Sequence, residues 1–176
     1  MIIWINGAFG SGKTTVAKIL HNRIENSFIY DPENVGQFLW SNEPDCMKSN
    51  DFQDEPLWRE FNFKMLKNID EQFSGYIIVP MTIRNKNYYD EIIGRLRDNN
   101  VKVHHFTLSA SREVLINRLS ERPESERIWA EEQIDFCVTA FLTGDFEGII
   151  DTDDMPAEEA SNRIIDMIKS TKAFCI

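Results

Sequence analysis

Long apolar runs, paired cysteines and a surplus of basic residues are all lacking in this 176-residue sequence. No apolar run approaches the roughly 20 residues that span a bilayer, so we expect no stable membrane insertion. The N-terminal residues MIIWINGAF carry no basic segment, which argues against a secretory signal. The three cysteines, Cys46, Cys137 and Cys175, include no C-x-x-C pair and are odd in number. A reduced, cytoplasmic protein is therefore expected.

Basic residues are outnumbered, with 19 Lys and Arg against 29 Asp and Glu and a formal net charge of −10. This imbalance argues against nucleic acid or an anionic membrane as the main partner, because both select basic surfaces. A phosphorylated ligand stays compatible with it, since backbone amides and a few cations can hold phosphate. The acidic residues concentrate in residues 25–71 and 145–166, so the remainder of the chain is net positive.

Short apolar runs alternate with helical patterns along the chain, as in a parallel sheet covered by helices. The predicted strands are residues 2–5, 28–30, 76–81, 102–108 and 148–150. The predicted helices are residues 14–24, 34–40, 55–71, 88–98, 128–141, one starting near 111 and one starting near 156. We therefore predict a single α/β domain over residues 1–176, with a doubly wound five-stranded parallel sheet.

Residues 7–14 read GAFGSGKT and fit the phosphate-loop motif G-x-x-x-x-G-K-[ST]. The motif follows a predicted buried strand and opens a predicted helix, the context in which backbone amides surround a phosphate. Lys13 is expected to reach the β and γ phosphates, and Thr14 to coordinate Mg²⁺. The predicted ATP-binding residues are Gly7, Ala8, Phe9, Gly10, Ser11, Gly12, Lys13, Thr14 and Thr15.

Asp31 ends the second predicted strand, where Pro32 disfavours a helical conformation of the residue before it. A carboxylate at that strand end lies near the phosphate loop in this topology, and we predict that Asp31 acts as a catalytic base. A simple turn is the alternative interpretation. The third strand ends in Thr82 without an acid, and residues 85–88 lack the aspartate of a guanine-specific Asn-Lys-x-Asp element. A nucleoside-triphosphate switch is therefore disfavoured.

Four of the ten arginines follow the fourth predicted strand: Arg112, Arg118, Arg122 and Arg127. Arg118 and Arg122 share one helix face if the helix continues that far, and we predict both as catalytic residues that neutralise charge during phosphoryl transfer. Pro123 predicts a mobile, arginine-rich lid over residues 118–128. A solvated helix is the alternative, because glutamates balance these arginines.

Residues 32–75 are interpreted as a helical, substrate-binding insertion. This segment contains one arginine, Arg59, among many acids, so the sequence favours an uncharged, hydroxyl-bearing acceptor over a nucleotide. The predicted substrate residues are Asp31, Trp58, Phe61, Asn62, Thr82 and Arg84. For the aromatic residues at helical spacing, a core stripe is an equally good interpretation.

Several segments in order resemble those of a known family: residues 1–14, Tyr30 to Glu33, residues 51–62, 78–82, 91–97 and 105–108. The chain resembles small P-loop kinases of the adenylate, shikimate and gluconate kinase type, and more closely the bacterial tunicamycin-resistance ATP-binding proteins. The resemblance implies an ATP-dependent, doubly wound domain that acts on, or sequesters, a nucleoside-like antibiotic.

The leading hypothesis is a cytoplasmic ATP- and Mg²⁺-dependent phosphotransferase whose partners are ATP and a small neutral acceptor, not nucleic acid. The alternative is a protein that closes around the antibiotic in the presence of ATP and sequesters it without chemistry. A hydrolase that serves as a switch for a protein partner is a more distant third possibility.

Overall fold

A computed structural model describes residues 1–173, with the side chains of Glu126 and residues 171–173 outside the description. Cys175 and the end of the predicted domain therefore lie outside the described residues. Five parallel strands form one sheet in the order β2-β3-β1-β4-β5. These strands are β1 (Ile2–Gly7), β2 (Ser27–Ile29), β3 (Tyr76–Pro80), β4 (Val103–Ser109) and β5 (Ile149–Asp151). The predicted five-stranded, doubly wound parallel sheet is confirmed, with β1 at its centre.

Helices connect the strands and cover both faces of the sheet. They are α1 (Lys13–Arg23), α2 (Pro32–Asn42), α3 (Pro56–Gln72), α4 (Lys86–Tyr89), α5 (Arg95–Asp98), α6 (Arg112–Ser120), α7 (Glu124–Thr143) and α8 (Ala157–Ala173). A π-helical turn, Asp90–Gly94, joins α4 to α5, and 3₁₀ turns occupy Asp45–Met47 and Phe52–Asp54. Across residues 1–173, none of these helices has both the length and the apolar character needed to cross a membrane.

Alternating side chains of β1 divide the core into two layers. Ile2 and Trp4 pack in the larger cluster, beneath α3 and α7, whereas Ile3 and Ile5 pack in the cluster beneath α1 and α8. All four side chains are fully buried, so each contributes roughly 1.5–3 kcal/mol to folding through its removal from water. This two-sided burial fixes β1 and hence the loop that follows it.

Asn6 fixes the loop after β3 to the end of β1. Its Nδ2 donates to the Ile83 carbonyl at 2.8 Å, and its Oδ1 accepts from the backbone N–H groups of Ile83 and Gly7. Its Nδ2 also lies 3.3 Å from Nε2 of His105, whose pKa is lowered to about 4 by burial. A neutral imidazole can accept this hydrogen bond, so His105 has a structural role.

The predicted lid, residues 118–128, spans the end of α6, the connection 121–123 and the start of α7. Pro123 directly precedes α7, where its fixed φ suits the entry into a helix. α7 begins at Glu124, four residues before the predicted start at residue 128. The reason is that Pro123 stands at the N-terminus of this helix and does not interrupt it. Arg118 therefore lies on α6, and Arg122 lies in the short connection.

Candidate active site

The phosphate loop leaves β1 and enters α1 through residues with positive φ. Gly7 has φ 143°, and a Cβ there would lie 2.5 Å from the Leu108 carbonyl oxygen. Gly12 caps α1 in the left-handed conformation, with φ 94°. Glycine is the residue that adopts both conformations without steric cost. The loop thus directs backbone N–H groups and the positive end of the α1 dipole to one point, which favours a bound anion.

Lys13 lies at the centre of this loop. Its Nζ donates to the carbonyl oxygens of Gly7 and Ala8 at 3.0 and 2.9 Å, and it lies 5.4 Å from the centre of the Phe9 ring. Burial, and to a smaller extent the charge of Arg122, lowers the pKa of the Lys13 ammonium to about 8, although Cys137 and Glu33 oppose the change. The side chain is thus held in the loop at a point where a phosphate charge would stabilise its protonated form.

Thr82 supports the loop from below. The side chain is 3% exposed, and its hydroxyl donates to the Gly7 carbonyl oxygen at 2.8 Å. That oxygen therefore receives hydrogen bonds from Thr82 and from Lys13. Although we predicted Thr82 as a substrate residue, the structure places its hydroxyl against the backbone of the phosphate loop.

A cavity of about 380 Å³, which we call the nucleotide cavity, opens beside the phosphate loop. Its walls come from the loop, α1, the predicted lid and the start of α8: Gly10, Ser11, Gly12, Thr15, Val16, Arg118, Arg122, Thr152, Met155, Pro156, Ala157 and Ala160. Arg118 is oriented there by the Thr152 carbonyl, which accepts from its Nη2 at 2.6 Å. Both predicted lid arginines thus line a cavity at the phosphate loop.

A second cavity of about 530 Å³, which we call the acceptor cavity, lies on the other side of the loop. It is lined by Phe9, Glu33, Gln37, Asp51, Phe52, Gln53, Met81, Arg122, Ser125, Trp129 and Ala130. Phe9 and Trp129 form one wall, with ring centroids 5.1 Å apart in an edge-to-face arrangement. The cavity combines aromatic surfaces with hydrogen-bonding groups, as small-molecule sites do.

Asp31 and Thr14 meet in a third, smaller cavity of about 170 Å³, together with Lys18 and Glu33. A hydroxyl and a carboxylate are oxygen ligands of the kind that Mg²⁺ prefers, so these side chains fit the predicted ion. The Asp31 carboxylate also caps α2, because its Oδ1 accepts from the Glu33 backbone N–H at 3.0 Å. Within residues 1–173, no group of three or more His, Cys, Asp and Glu residues is arranged to hold a metal.

Glu33 is the carboxylate that functional interpretation of the sequence missed. It lines both the small cavity of Asp31 and the acceptor cavity. Desolvation of its carboxyl group and the charge of Asp31 raise its pKa, while Lys13 and Arg122 oppose the rise. The sequence did contain a signal for Glu33. The spacing Asp31-Pro32-Glu33 places a second acid in the first turn of α2, directly after the carboxylate that was predicted as the base.

The predicted substrate residues on α3 lie elsewhere. Trp58 is fully buried, and its Nε1 donates to the Pro32 carbonyl at 3.0 Å. Asn62 is also fully buried, where its Oδ1 accepts from the Tyr30 hydroxyl at 2.8 Å. Phe61 is 41% exposed on the same helix. In the described part of the chain, the walls of the acceptor cavity include none of these three α3 side chains. Helical spacing identified one face of α3, and its two residues Trp58 and Asn62 lie in the core while Phe61 is exposed to solvent.

Arg84, the remaining predicted substrate residue, packs against α7. Its Nη2 donates to Oε1 of Gln133 at 3.1 Å, and its guanidinium lies 5.3 Å from the centre of the Phe136 ring. The charge of Arg84 acts on Asp51 of the cavity wall and on the buried thiol of Cys137. Arg84 therefore contributes positive potential to a cavity whose wall contains two carboxylates.

Comparison with known proteins places this site in a family. The family model described as AAA domain matches residues 3–136. The tunicamycin resistance protein of Deinococcus radiodurans is 31% identical, with a TM-score of 0.79 over 95% of this chain and 94% of that protein. A comparison with curated proteins gave no match.

Two kinases share the fold at lower identity. A sugar kinase of Janibacter is 20% identical, with a TM-score of 0.65 over 96% of this chain and 94% of that one. The APS kinase of Mycobacterium tuberculosis, solved with AMPPNP and APS, is 16% identical, with a TM-score of 0.64 over 96% of each chain. The chain thus belongs to the AAA domain family and, with the Deinococcus protein, to the tunicamycin resistance proteins within the small P-loop kinases.

Proposed function

We propose that this protein is a cytoplasmic, ATP- and Mg²⁺-dependent phosphotransferase that acts on a hydroxyl group of a small neutral compound. One observation carries the proposal: Arg122 lines both the nucleotide cavity and the acceptor cavity. A guanidinium between two ligands neutralises the charge that develops on a phosphoryl group passing from one to the other. The charge of Arg122 also acts on Lys13 of the phosphate loop, whose Nζ lies over the ring of Phe9, a residue of the acceptor cavity wall.

Thr14 and Asp31 are the residues that would hold Mg²⁺, because both line the small cavity next to the phosphate loop. When bound, the ion would neutralise charge on the β and γ phosphates. Asp31 can act through a bound water, since its Oδ1 already caps α2 and a carboxylate accepts further hydrogen bonds at its second oxygen.

The transfer exchanges one phosphorus–oxygen bond for another. The acceptor hydroxyl oxygen forms a bond to the γ-phosphorus, and the bond from that phosphorus to the bridging oxygen breaks, so ADP leaves with its electron pair. The hydroxyl proton passes to a carboxylate. Glu33 is better placed than Asp31 for this role, because Glu33 lines the acceptor cavity and its raised pKa brings it closer to that of a neutral-pH base.

The arginine of the predicted insertion is engaged within the protein, which supports a neutral acceptor. Arg59 is 7% exposed, and its Nε forms an ion pair with Oε2 of Glu91 at 2.6 Å. Its Nη1 donates to the Gln53 carbonyl at 2.5 Å. A second phosphate in the acceptor cavity would face the carboxylates of Glu33 and Asp51, and Arg122, which also lines that wall, is the residue assigned to the transferred phosphoryl group. The name of the Deinococcus relative suggests tunicamycin, a nucleoside-like antibiotic, as the acceptor.

The experiment is incubation with ATP, Mg²⁺ and either tunicamycin or a panel of uridine nucleosides, followed by mass spectrometry of the recovered compound. The expected product carries one added phosphoryl group and forms in step with ADP. Lys13→Ala is the matched control, since it removes the ammonium from the phosphate loop and should abolish the product. ADP release that is independent of every acceptor would contradict the proposal.

Binding without chemistry is the second candidate, and the capping role of Asp31, the base predicted from the sequence, is compatible with it. Because Asp31 stabilises the first turn of α2, its presence at this position has a structural explanation that needs no catalysis. Sequestration predicts stoichiometric binding of the antibiotic that ATP strengthens, with the drug recovered unmodified. The same mass spectrometry therefore separates the two functions.

A further inference from the structure

Residues 51–53, which we call the acceptor turn, contribute three consecutive side chains to the acceptor cavity. The turn precedes α3 and begins the 3₁₀ turn Phe52–Asp54. It belongs to one of the segments in which the sequence resembles its family, yet the transfer chemistry proposed above does not use it. The turn is therefore a wall of the acceptor cavity that still lacks a role.

Phe52 seats the turn between two helices. Its ring lies 5.3 Å from the ring of Trp40 on α2 and 5.4 Å from that of Trp58 on α3. A Cβ at Gly36 would lie 2.4 Å from Cγ of Phe52, so the ring fills a notch that glycine leaves in α2. The Phe52 ring fixes the position of the turn, because a rotation of the turn would empty this notch.

Arg59 holds the turn from the α3 side. Besides its hydrogen bond to the Gln53 carbonyl, its guanidinium stacks 4.2 Å from the centre of the Tyr88 ring. The Tyr88 hydroxyl in turn donates to Oδ1 of Asp54 at 2.9 Å. The buried guanidinium and the tyrosine thus restrain the middle and the last residue of the 3₁₀ turn, and the ion pair to Glu91 holds the guanidinium in place.

Asp51 is the group of this turn that can distinguish ligands. Its Oδ1 accepts from the Gln53 backbone N–H at 2.9 Å, which orients the carboxylate. A carboxylate can accept further hydrogen bonds through its second oxygen. Burial raises the pKa of Asp51, and Arg84 opposes that rise. A carboxylate that is partly removed from water costs free energy if it stays without a hydrogen-bond partner in the complex. Asp51 therefore selects for a ligand that brings an O–H or N–H donor to it.

We propose that the acceptor turn is the specificity element of the acceptor cavity, in which Asp51 accepts a hydrogen bond from an O–H or N–H group of the acceptor remote from the reacting hydroxyl. Arg59 is its positioning residue. This proposal rests on the proposed function, because it names what recognises the acceptor of that reaction. Phe52, Phe9 and Trp129 supply the apolar surfaces between which the recognised part of the acceptor lies.

The test uses the full chain, a non-hydrolysable ATP analogue and tunicamycin as the probe. Asp51→Asn keeps the side-chain shape and removes the charge, and Arg59→Lys keeps the charge and removes the planar fork. Arg95→Lys is the matched control, because Arg95 is also an arginine that pairs with a glutamate, Glu60, and stacks on an aromatic ring, but it does so outside the acceptor cavity. Binding of the analogue and of tunicamycin is measured for each variant by calorimetry, with thermal unfolding as the check on folding.

We expect Asp51→Asn to weaken tunicamycin binding by about 10- to 100-fold, as for the loss of a hydrogen bond to a charged group. Arg59→Lys should weaken it by about 10-fold, whereas all three variants should bind the ATP analogue as the wild type does. In turnover, the loss should appear in KM rather than in kcat, which a general structural defect would not produce.

Tunicamycin binding that is unchanged in Asp51→Asn and Arg59→Lys would overturn the proposal and leave the proposed function standing. Equal losses for tunicamycin and the ATP analogue would also overturn it, because they would show a defect of the whole fold. If the wild type binds the analogue but not tunicamycin, the proposed acceptor is wrong and the specificity element falls with it.

Discussion

The Phe9 ring in the phosphate loop packs edge-on against the Trp129 ring of α7, with centroids 5.1 Å apart. This contact joins the phosphate loop to the helix whose first turn belongs to the predicted lid. Both rings also line the acceptor cavity. If binding of the nucleotide or of the acceptor displaced α7, the Phe9–Trp129 wall of the acceptor cavity would therefore change for the other ligand as well.

Replacing Trp129 with alanine removes one side of this wall and should weaken acceptor binding about 3- to 10-fold, given ~0.5–1.5 kcal/mol for an aromatic pair. Ile128→Ala is the control, since Ile128 is a similarly exposed apolar residue one position earlier on α7. Calorimetric titration with tunicamycin in the presence of an ATP analogue measures the effect. An equal loss in both variants would show that the Phe9–Trp129 contact does not contribute.

The phosphate loop could be predicted from sequence because its glycines, Lys13 and Thr14 are consecutive, and their roles follow from local backbone geometry. The parallel sheet could be predicted for a similar reason, since strands buried on both faces read as short apolar runs. Asn6 illustrates a limit. In the sequence it is an ordinary polar residue after the apolar run of β1. Its three backbone partners, two on Ile83 and one on Gly7, come together only because β1 and β3 lie side by side in the sheet.

The acceptor cavity was harder to predict because its walls come from segments distant in the chain. Helical spacing on α3 marks Trp58 and Asn62 as one face, but spacing does not show whether a face meets a cleft or the core. Asp51 lies in an aperiodic segment, so no pattern marks it. It joins Glu33 in one cavity because α2 and α3 pack together on the same side of the sheet.

Nucleotide binding should depend on pH through Lys13. With a pKa of about 8, this ammonium is largely protonated below pH 8 and loses its proton above it. Bound triphosphate favours the protonated form, so binding takes up a proton above that pH and the affinity should fall, by up to about tenfold per pH unit. Titration with a fluorescent ATP analogue across this range measures the slope. Lys13→Arg stays charged throughout, and an identical slope in that variant would exclude Lys13 as the cause.

Thr82→Val tests the support beneath the phosphate loop. Valine keeps the side-chain shape but loses the hydroxyl that donates to Gly7, so the free energy of unfolding should fall by about 1 kcal/mol. Nucleotide affinity should fall several-fold as well. Thr107→Val is the control, because that buried hydroxyl donates to the Glu147 carbonyl instead. Thr107→Val should lower the stability measured by urea unfolding without changing nucleotide affinity; a change in both would refute a specific role of Thr82.

Asp31→Asn and Glu33→Gln separate the two carboxylates next to the phosphate loop. Asparagine caps a helix as well as aspartate does, so Asp31→Asn should keep α2 intact while it weakens the response to Mg²⁺. Glu33→Gln should lower kcat by about 10²- to 10⁴-fold with nucleotide affinity preserved, because it removes the proposed proton acceptor from the acceptor cavity. Full turnover in Glu33→Gln would return the role of base to Asp31, and full turnover in both variants would exclude either as the base.

Arg122 and Arg118 should differ in mutants, although sequence spacing treats them alike. Arg118 is bound to the Thr152 carbonyl, so Arg118→Ala should destabilise the wall of the nucleotide cavity and raise the KM for ATP. Arg122 is exposed and lines both cavities, so Arg122→Ala should lower kcat by about 10²- to 10³-fold, as the loss of a group that stabilises transition-state charge does. Arg112→Ala is the control, because Arg112 pairs with Asp135 at the protein surface. Steady-state rates of ADP formation with saturating acceptor distinguish the variants, and a kcat for Arg122→Ala equal to that of Arg112→Ala would remove Arg122 from the transfer step.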